Sequence, residues 1–327
     1  MLETRLWITW ERQPRNRSMA NRLKADLEEV VVEKSRIQRY ALSIVKTVLI
    51  INRVQPRILF VQNPSIVLSF IAVFLRIYFN YKLVVDQHNA GIYPLEGKSN
   101  VLNFLSAWIL RKADLNIVTN DELLDVVESL GGRAIVAPDP LPEMPIDQSI
   151  KFAKFDKSQF NIVFICSWDN DEPYNEVIES ASLLLGERVE IYITGNYRKK
   201  LSFEDLKKIP DNVNLLGFIS YAEYCALLNV SSAVIVLTKR KSCINCGIYE
   251  ALALGKPGVV TKDKQIEKIF YRGYSFSEID PVSITKNIKY IINNYEKLIK
   301  DVFLMKMDFE SHHSTVIREI NNAISRL

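Results

Sequence analysis

Glu250 is the residue of this chain whose surroundings speak most directly of chemistry. Residues 234–261 read as a buried strand, a basic polar loop, a short helix and the start of another strand. The helix begins near Gly247, carries Glu250 early, and stops at Gly255-Lys256-Pro257. A carboxylate in that place offers two acceptor oxygens to a vicinal diol such as a ribose. Hydrogen bonds to a charged group contribute about 1.5–3 kcal/mol each. Backbone N–H groups at a helix start lack intrahelical partners, and the helix dipole favours an anion there. Lys239, Arg240 and Lys241 add positive charge just before it. The same residues also suit an ordinary strand–helix–strand unit, in which Gly-Lys-Pro only ends the helix and Glu250 faces water. Spacing alone leaves both readings open.

His88 is the one histidine outside the pair His312-His313. It follows the apolar run Leu83-Val84-Val85 at a strand's carboxyl end. Asp86, two residues earlier, points to the same side if the strand continues, and can orient the imidazole. A hydrogen-bonded core histidine fits the pattern too. Glu11 and Arg12 follow the first strand. A carboxylate at Glu11 can serve as a general base, and Arg15 and Arg17 are expected at the surface. The spacing Cys243-x-x-Cys246 raises zinc or redox chemistry. Zinc needs about four ligands and no second pair lies nearby, so these cysteines are read as small residues lining a loop, and no metal site is expected.

The elements that must hold these residues alternate regularly. Strands are expected at residues 5–10, 30–32, 58–62, 82–86, 115–119 and 134–137, with helices at 17–27, 36–54, 66–80, 101–111 and 121–130. A second series has strands at 161–166, 189–194, 213–216, 233–237 and 258–261. Its helices are expected at 174–185, 221–229, 247–254 and 281–299, with a final one at 314–327. Strand, helix, strand in this rhythm means parallel sheets covered on both faces. Three prolines within residues 138–142 favour an extended connection. The expected organisation is a domain over 1–142, a linker over 143–159, a second domain over 160–307 and a C-terminal helix over 308–327, which can pack back on the first domain.

Residues 247–260 resemble the donor-site segment of the large retaining GT-B glycosyltransferase family (group 1, or family 4-like). There a loop and a Glu-Ala-Leu/Met-Ala-x-Gly-x-Pro helix hold a nucleotide-sugar. That family usually carries two glutamates in this segment. Glu250 matches the one near the ribose, and Ser242 stands where the one near the donor sugar is expected. The resemblance implies an α/β fold of two Rossmann-like parallel-sheet domains facing a cleft. It further implies donor contacts from Thr238, Lys239, Arg240, Asn245, Cys246 and Gly247. Val213-Asn-Leu-Leu-Gly217 and the helix from Tyr221 are similar to the part that cups the base, with Thr194-Gly195-Asn196 beside it. Ser167 opens a loop where relatives carry a basic pair for the pyrophosphate, and here that loop is acidic. Residues 58–64 and 83–89 are similar to segments of chitobiosyldiphosphodolichol mannosyltransferase-like proteins. By that resemblance His88 lies near the donor sugar or its phosphates. It also implies that Arg12, Asn63, Asp86 and Asn89 fall on the acceptor side, where Glu11 can bind acceptor hydroxyls and Arg15 or Arg17 an acceptor phosphate.

Composition narrows the partners. Hydrophobic residues make up 48% and charged residues 24% of 327 residues, which suits two packed domains. The net charge of +4 demands no nucleic acid. Residues 1–57 hold twelve Lys/Arg against six acids. Such an excess attracts phosphate-bearing substrates or an anionic membrane surface, so peripheral membrane contact through this basic third is an expectation. Four scattered cysteines point to a reducing compartment, and residues 6–17 do not read as a signal peptide. The apolar run 66–79 is broken by Arg76 and is too short to span a bilayer. The sequence therefore predicts a cytoplasmic protein, at most resting on the inner membrane face. Its function would be transfer of a sugar from a nucleotide-diphosphate sugar, a substrate and not a cofactor, to a glycan or lipid-linked acceptor. No metal is required, since protein charge can stabilise the leaving diphosphate. A sugar-nucleotide epimerase of the same fold, or an inactive nucleotide-sugar-binding homologue, are the alternatives.

Overall fold

The computed structural model describes residues 4–63, 65–150, 155–156, 158–240 and 243–327. It divides into two compact units, Met1–Pro140 with Glu310–Leu327, and Leu141–Phe309.

In chain order the first unit contains β1 (Arg5–Thr9), α1 (Pro14–Arg22), β2 (Asp26–Glu29), α2 (Arg36–Val54), β3 (Ile58–Asn63) and α3 (Ile66–Phe79). It continues with β4 (Lys82–Gln87), the single turn α4 (Asn89–Ile92), α5 (Asn100–Lys112), β5 (Leu115–Val118), α6 (Asp121–Ser129) and β6 (Ala134–Val136). The six strands form one sheet in the order β2-β1-β3-β4-β5-β6, and every pairing is parallel. Alternate residues face opposite sides. Trp7, Phe60 and Val84 point to a core shared with α1 and with Val316, Ile320 and Ile324 near the chain end. Leu6, Ile8, Leu59 and Val85 point to the other, under α2, α3 and α5.

The second unit follows the same logic. Its elements are β7 (Phe160–Phe164), α7 (Tyr174–Ser182), β8 (Val189–Thr194), α8 (Phe203–Leu206), β9 (Val213–Gly217), α9 (Tyr221–Val230) and β10 (Ala233–Val236). Then come α10 (Cys246–Ala253), β11 (Gly258–Thr261), α11 (Lys264–Ile269), β12 (Tyr274–Ser277), α12 (Pro281–Asn293) and α13 (Tyr295–Ser325), whose residues from Glu310 on belong to the first unit. The strand order is β12-β11-β10-β7-β8-β9, all parallel. One face packs on α7 and α12 through Val177, Ile284 and Ile288. The other packs on α9, α10 and α13 through Leu228, Leu252 and Val302. Leu141, Met144 and Phe155 also belong to this second core, with Phe155 stacked on Tyr192 at 5.2 Å between ring centroids.

Four local expectations need correction. The second strand is Asp26–Glu29 and not residues 30–32. It is the sheet edge, where only one side is paired and charged residues are tolerated. The first helix runs Pro14–Arg22 instead of 17–27. Proline suits a first helical position, and Lys24 turns left-handed at φ 54° soon after the helix ends. The strand β12, Tyr-Ser-Phe-Ser, went unseen because its serines hide the apolar signal. The expected helix 281–299 and the separate final helix are instead α12 and the 31-residue α13.

Candidate functional site

In each sheet the chain lays strands to one side of its first strand and then returns to the other. The reversal falls between β1 and β3 in the first unit and between β7 and β10 in the second. Open parallel sheets bind ligands outside the carboxyl strand ends at such a reversal. Glu11, Arg12 and His88 lie at the first of these places and Ser167, Thr238, Lys239 and Arg240 at the second, while Thr194 and Gly217 end the neighbouring strands β8 and β9.

At the first reversal a chain of polar side chains runs outward from the core. The Trp7 indole N–H donates to Asn16 Oδ1 at 3.1 Å. Because indole N–H only donates, it fixes which end of the Asn16 amide is oxygen. Asn16 Nδ2 then donates to Gln62 Oε1 at 2.7 Å, and Thr9 Oγ1 donates to the same oxygen at 3.0 Å. The Gln62 amide nitrogen must therefore face the other way. It donates to Gln13 Oε1 at 2.6 Å and lies 3.1 Å from His88 Nε2. A neutral His88 thus accepts at Nε2, with its proton on Nδ1. Gln13 in turn donates to the exposed Glu11 carboxylate at 2.9 Å, so Glu11 and His88 are joined through two amides. Arg12 is exposed beside them.

Asp86 is fixed by Arg15, correcting the expectation that Arg15 lies at the surface. Arg15 is 6% exposed. Its Nη2 donates to Asp86 Oδ1 at 2.7 Å and its Nη1 to Asp139 at 2.6 Å. Burial works against ionising Asp86, and Arg15 with His88 outweighs it, holding the carboxyl well below the usual range. His88 Nε2 lies 3.4 Å from Asp86 Oδ2, so a protonated imidazole gains a carboxylate partner. Nearby on α13, His313 is pushed down to about 4, chiefly by burial and then by Arg22 and Arg15. Arg17 is exposed and pairs with Glu29 at 2.9 Å. Asn63 is fully buried. It donates to Gln87 at 2.8 Å in an amide ladder that continues to Asn116. Asn89 is exposed on α4, directly after His88.

At the second reversal the basic and acidic groups meet each other. Lys239 Nζ is 2.8 Å from Glu176 and Arg240 Nε is 3.1 Å from Asp171. Asp171 also accepts from Thr238 Oγ1 at 3.0 Å. Glu172 folds into its own loop, accepting from the Ser167 and Asp169 backbone N–H groups, each at 2.9 Å. Converging N–H groups favour an anion, and here a carboxylate of the chain takes that place. Trp168 adopts φ 68° in that loop and donates to the Thr194 carbonyl at 2.8 Å. Gly195 has φ 85°, and a Cβ there would meet the Cys166 carbonyl at 2.2 Å. Asn196 and Gly217 follow the ends of β8 and close β9.

Glu250 is half-buried on α10. One carboxylate oxygen accepts a short hydrogen bond from the Tyr224 hydroxyl of α9. Burial pushes the carboxyl up, and Tyr224 partly offsets this. Tyr221 stacks on Tyr224 at 6.4 Å between centroids. Tyr224 was missed in the sequence. The available signal was its position three residues after Tyr221, one helical turn along. Asn245 precedes α10 without capping it by its side chain, and Gly247 packs against Ile165. Gly255 is left-handed at φ 67°, and Lys256 donates to the Asn229 and Ser231 carbonyls at 2.6 and 2.9 Å. Gly-Lys-Pro is therefore a helix stop that also ties down the end of α9. Cys243 is half-buried and Cys246 exposed, and no disulfide joins them. Among the described residues no group of three His, Cys, Asp or Glu side chains is placed to hold a metal. Lys241 and Ser242 lie outside the described residues.

Residues 146–301, slightly under half of the chain, match the family model for glycosyl transferases group 1. No curated protein sequence matches the chain. Solved structures are similar over nearly its whole length. HepE of Anabaena, in complex with UDP and glucose, has a TM-score of 0.69 at 15% identity, covering 99% of this chain and 100% of that one. Sucrose-phosphate synthase of Thermosynechococcus elongatus has a TM-score of 0.67 at 12% identity, covering 98% and 99%. A UDP-N-acetylglucosamine 2-epimerase from Listeria monocytogenes, described as putative, has 0.64 at 11%, covering 92% and 91%. The fold is GT-B. Its two Rossmann-like domains are those expected from the sequence.

Proposed function

We propose that this chain is a glycosyltransferase that moves a hexosyl group from a nucleoside-diphosphate sugar to a hydroxyl of a glycan or lipid-linked acceptor, without a metal. The observation that carries the reading is Glu250, held by Tyr224 on α10 inside the segment that matches the group 1 family model. The oxygen of Glu250 not engaged by Tyr224 suits a ribose hydroxyl. Tyr221, Gly217 and residues 194–196 flank the base. The diphosphate lies at Thr238, Lys239, Arg240 and the start of α10. To meet it, Lys239 and Arg240, whose side chains are 43 and 65% exposed, must exchange Glu176 and Asp171 for phosphate oxygens. In the reaction the bond from the sugar C1 to the diphosphate oxygen breaks and a bond from C1 to the acceptor oxygen forms. The acceptor proton passes to a general base, for which Glu11 and His88 are the candidates, and the nucleoside diphosphate leaves.

A thermal-shift panel of UDP, GDP, ADP and their sugars tests the donor site. At least one should stabilise the wild type. Glu250→Gln should weaken that binding by at least about 10-fold, since a charged hydrogen bond is lost. Binding should also fade on acidification at a pH above the ordinary carboxylate range, because burial raises the Glu250 carboxyl. If no nucleotide stabilises the wild type, or Glu250→Gln binds equally well, the reading is wrong. A sugar-nucleotide epimerase is the second reading, prompted by the likeness to the Listeria structure. An epimerase converts its nucleotide-sugar with no acceptor present, whereas a transferase needs one.

A further inference from the structure

Helix α2 is built inside out. The residues it turns toward the sheet are Ser43, Thr47 and Ile51. The residues it turns to solvent include Leu42, Val45 and Leu49, which are 43, 55 and 62% exposed. Spacings of three and four put these three on a single stripe. Arg39, Lys46 and Arg53 recur every seven residues and run along one edge of that stripe. The neighbouring helix α3 packs against both α2 and α5. It exposes Phe74, Ile77 and Tyr78, and α5 exposes Val101 and Phe104. Phe70 and Phe74 of α3 each lie 5.7 Å from the Trp108 ring of α5, joining the two helices. One whole face of the first unit therefore presents aliphatic and aromatic side chains to its surroundings.

Charge identifies the occupant. The three helices hold seven Lys/Arg (Arg36, Arg39, Lys46, Arg53, Arg76, Arg111 and Lys112) and no Asp or Glu. The carboxylates that reach them come from outside the helices, Glu28 to Arg53 and Asp114 to Arg76. A second copy of the chain seated symmetrically on this face would set these cations against each other. An apolar helix face with a cationic border suits a helix lying in the plane of an anionic bilayer, its aliphatic side in the acyl boundary and its basic side at the headgroups. No described helix is long and apolar enough to cross a membrane. We infer that the outer face of α2, α3 and α5 docks on an anionic lipid surface. Arg39 also lines a cavity of about 520 Å³ with Trp10, Val31, Val32, Glu33 and Lys34, so docking sets that cavity beside the lipid.

Co-sedimentation of the full chain with vesicles tests this. Wild type should bind phosphatidylcholine–phosphatidylglycerol vesicles and bind phosphatidylcholine vesicles weakly, with binding reduced in high salt. Val45→Glu/Leu49→Glu and Arg39→Glu/Lys46→Glu should each lower binding by about 10-fold or more. These positions are exposed, so circular dichroism should show the fold kept. Phe303→Glu, an exposed apolar change in the second unit, should bind as wild type does. The inference is overturned if folded wild type binds neither vesicle, or if the two double variants bind as well as wild type. It is equally overturned if wild type is a dimer that Val45→Glu/Leu49→Glu makes monomeric.

Discussion

The two carboxyl-end sites handle charge in opposite ways. In the first unit Arg15 and Asp86 are both nearly inaccessible and meet in a bidentate pair. In the second, Lys239 and Arg240 keep 43 and 65% of their side-chain surface exposed and meet Glu176 on α7 and Asp171 in the loop before it. A buried pair cannot exchange partners without leaving a charge stranded. An exposed pair can trade one partner for another at little cost, because water screens both states. The first site is thus a fixed frame around His88, and the second is a set of groups ready to be claimed by a competing anion.

Breaking the fixed pair should have the largest effect. Arg15→Leu should destabilise the protein by about 3–5 kcal/mol, since Asp86 is left buried without its cation, as measured by chemical denaturation. The sign of the pH dependence follows. Wild-type Asp86 has a folded-state pKa below its unfolded value of 3.8, so its stabilisation is present above that value and is lost as pH falls. In Arg15→Leu burial raises the carboxyl instead, and the gap to wild type should narrow on acidification.

Next in size, Tyr224→Phe should cost about 2- to 10-fold in nucleoside diphosphate affinity, corresponding to one hydrogen bond of roughly 0.5–1.5 kcal/mol. Titration calorimetry with ribo and 2′-deoxy nucleotides should show the preference for the ribose shrinking. An unchanged preference would mean that Tyr224 does not position Glu250. The smallest effect on stability should come from Asp171→Asn and Glu176→Gln, each within about 1 kcal/mol of wild type by thermal melting. Both should raise nucleotide affinity a few-fold at low salt by releasing Arg240 or Lys239. A fall in affinity would show that these two carboxylates help the donor and do not compete with it.

The sheets were legible because buried parallel strands write themselves as continuous apolar runs, as in Ile58-Leu-Phe-Val61. Glu250, His88 and Asp86 were visible because each sits next to such a run or within the helix that follows one. Arg15 was misread, since a lone arginine near a chain's start resembles surface charge until Asp86, 71 residues away, and Asp139 are seen to enclose it. Gln62 and Asn16 gave no signal for the same reason. Their partners come from separate elements, and a polar residue ending an apolar strand is ordinary. The self-filled Ser167–Glu172 loop was seen as acidic, but not that its carboxylate turns back on its own N–H groups.

The chain from Trp7 through Asn16 and Gln62 to His88 has a consequence for where protons can travel. Amide nitrogens at neutral pH neither give up nor take on a proton, so each link orients the next without conducting. The chain acts as an insulator with a fixed polarity. A proton gained at His88 has no exit through these amides toward the β1–β3 interior, and can leave only toward solvent or a bound molecule, since Arg15 keeps Asp86 ionised.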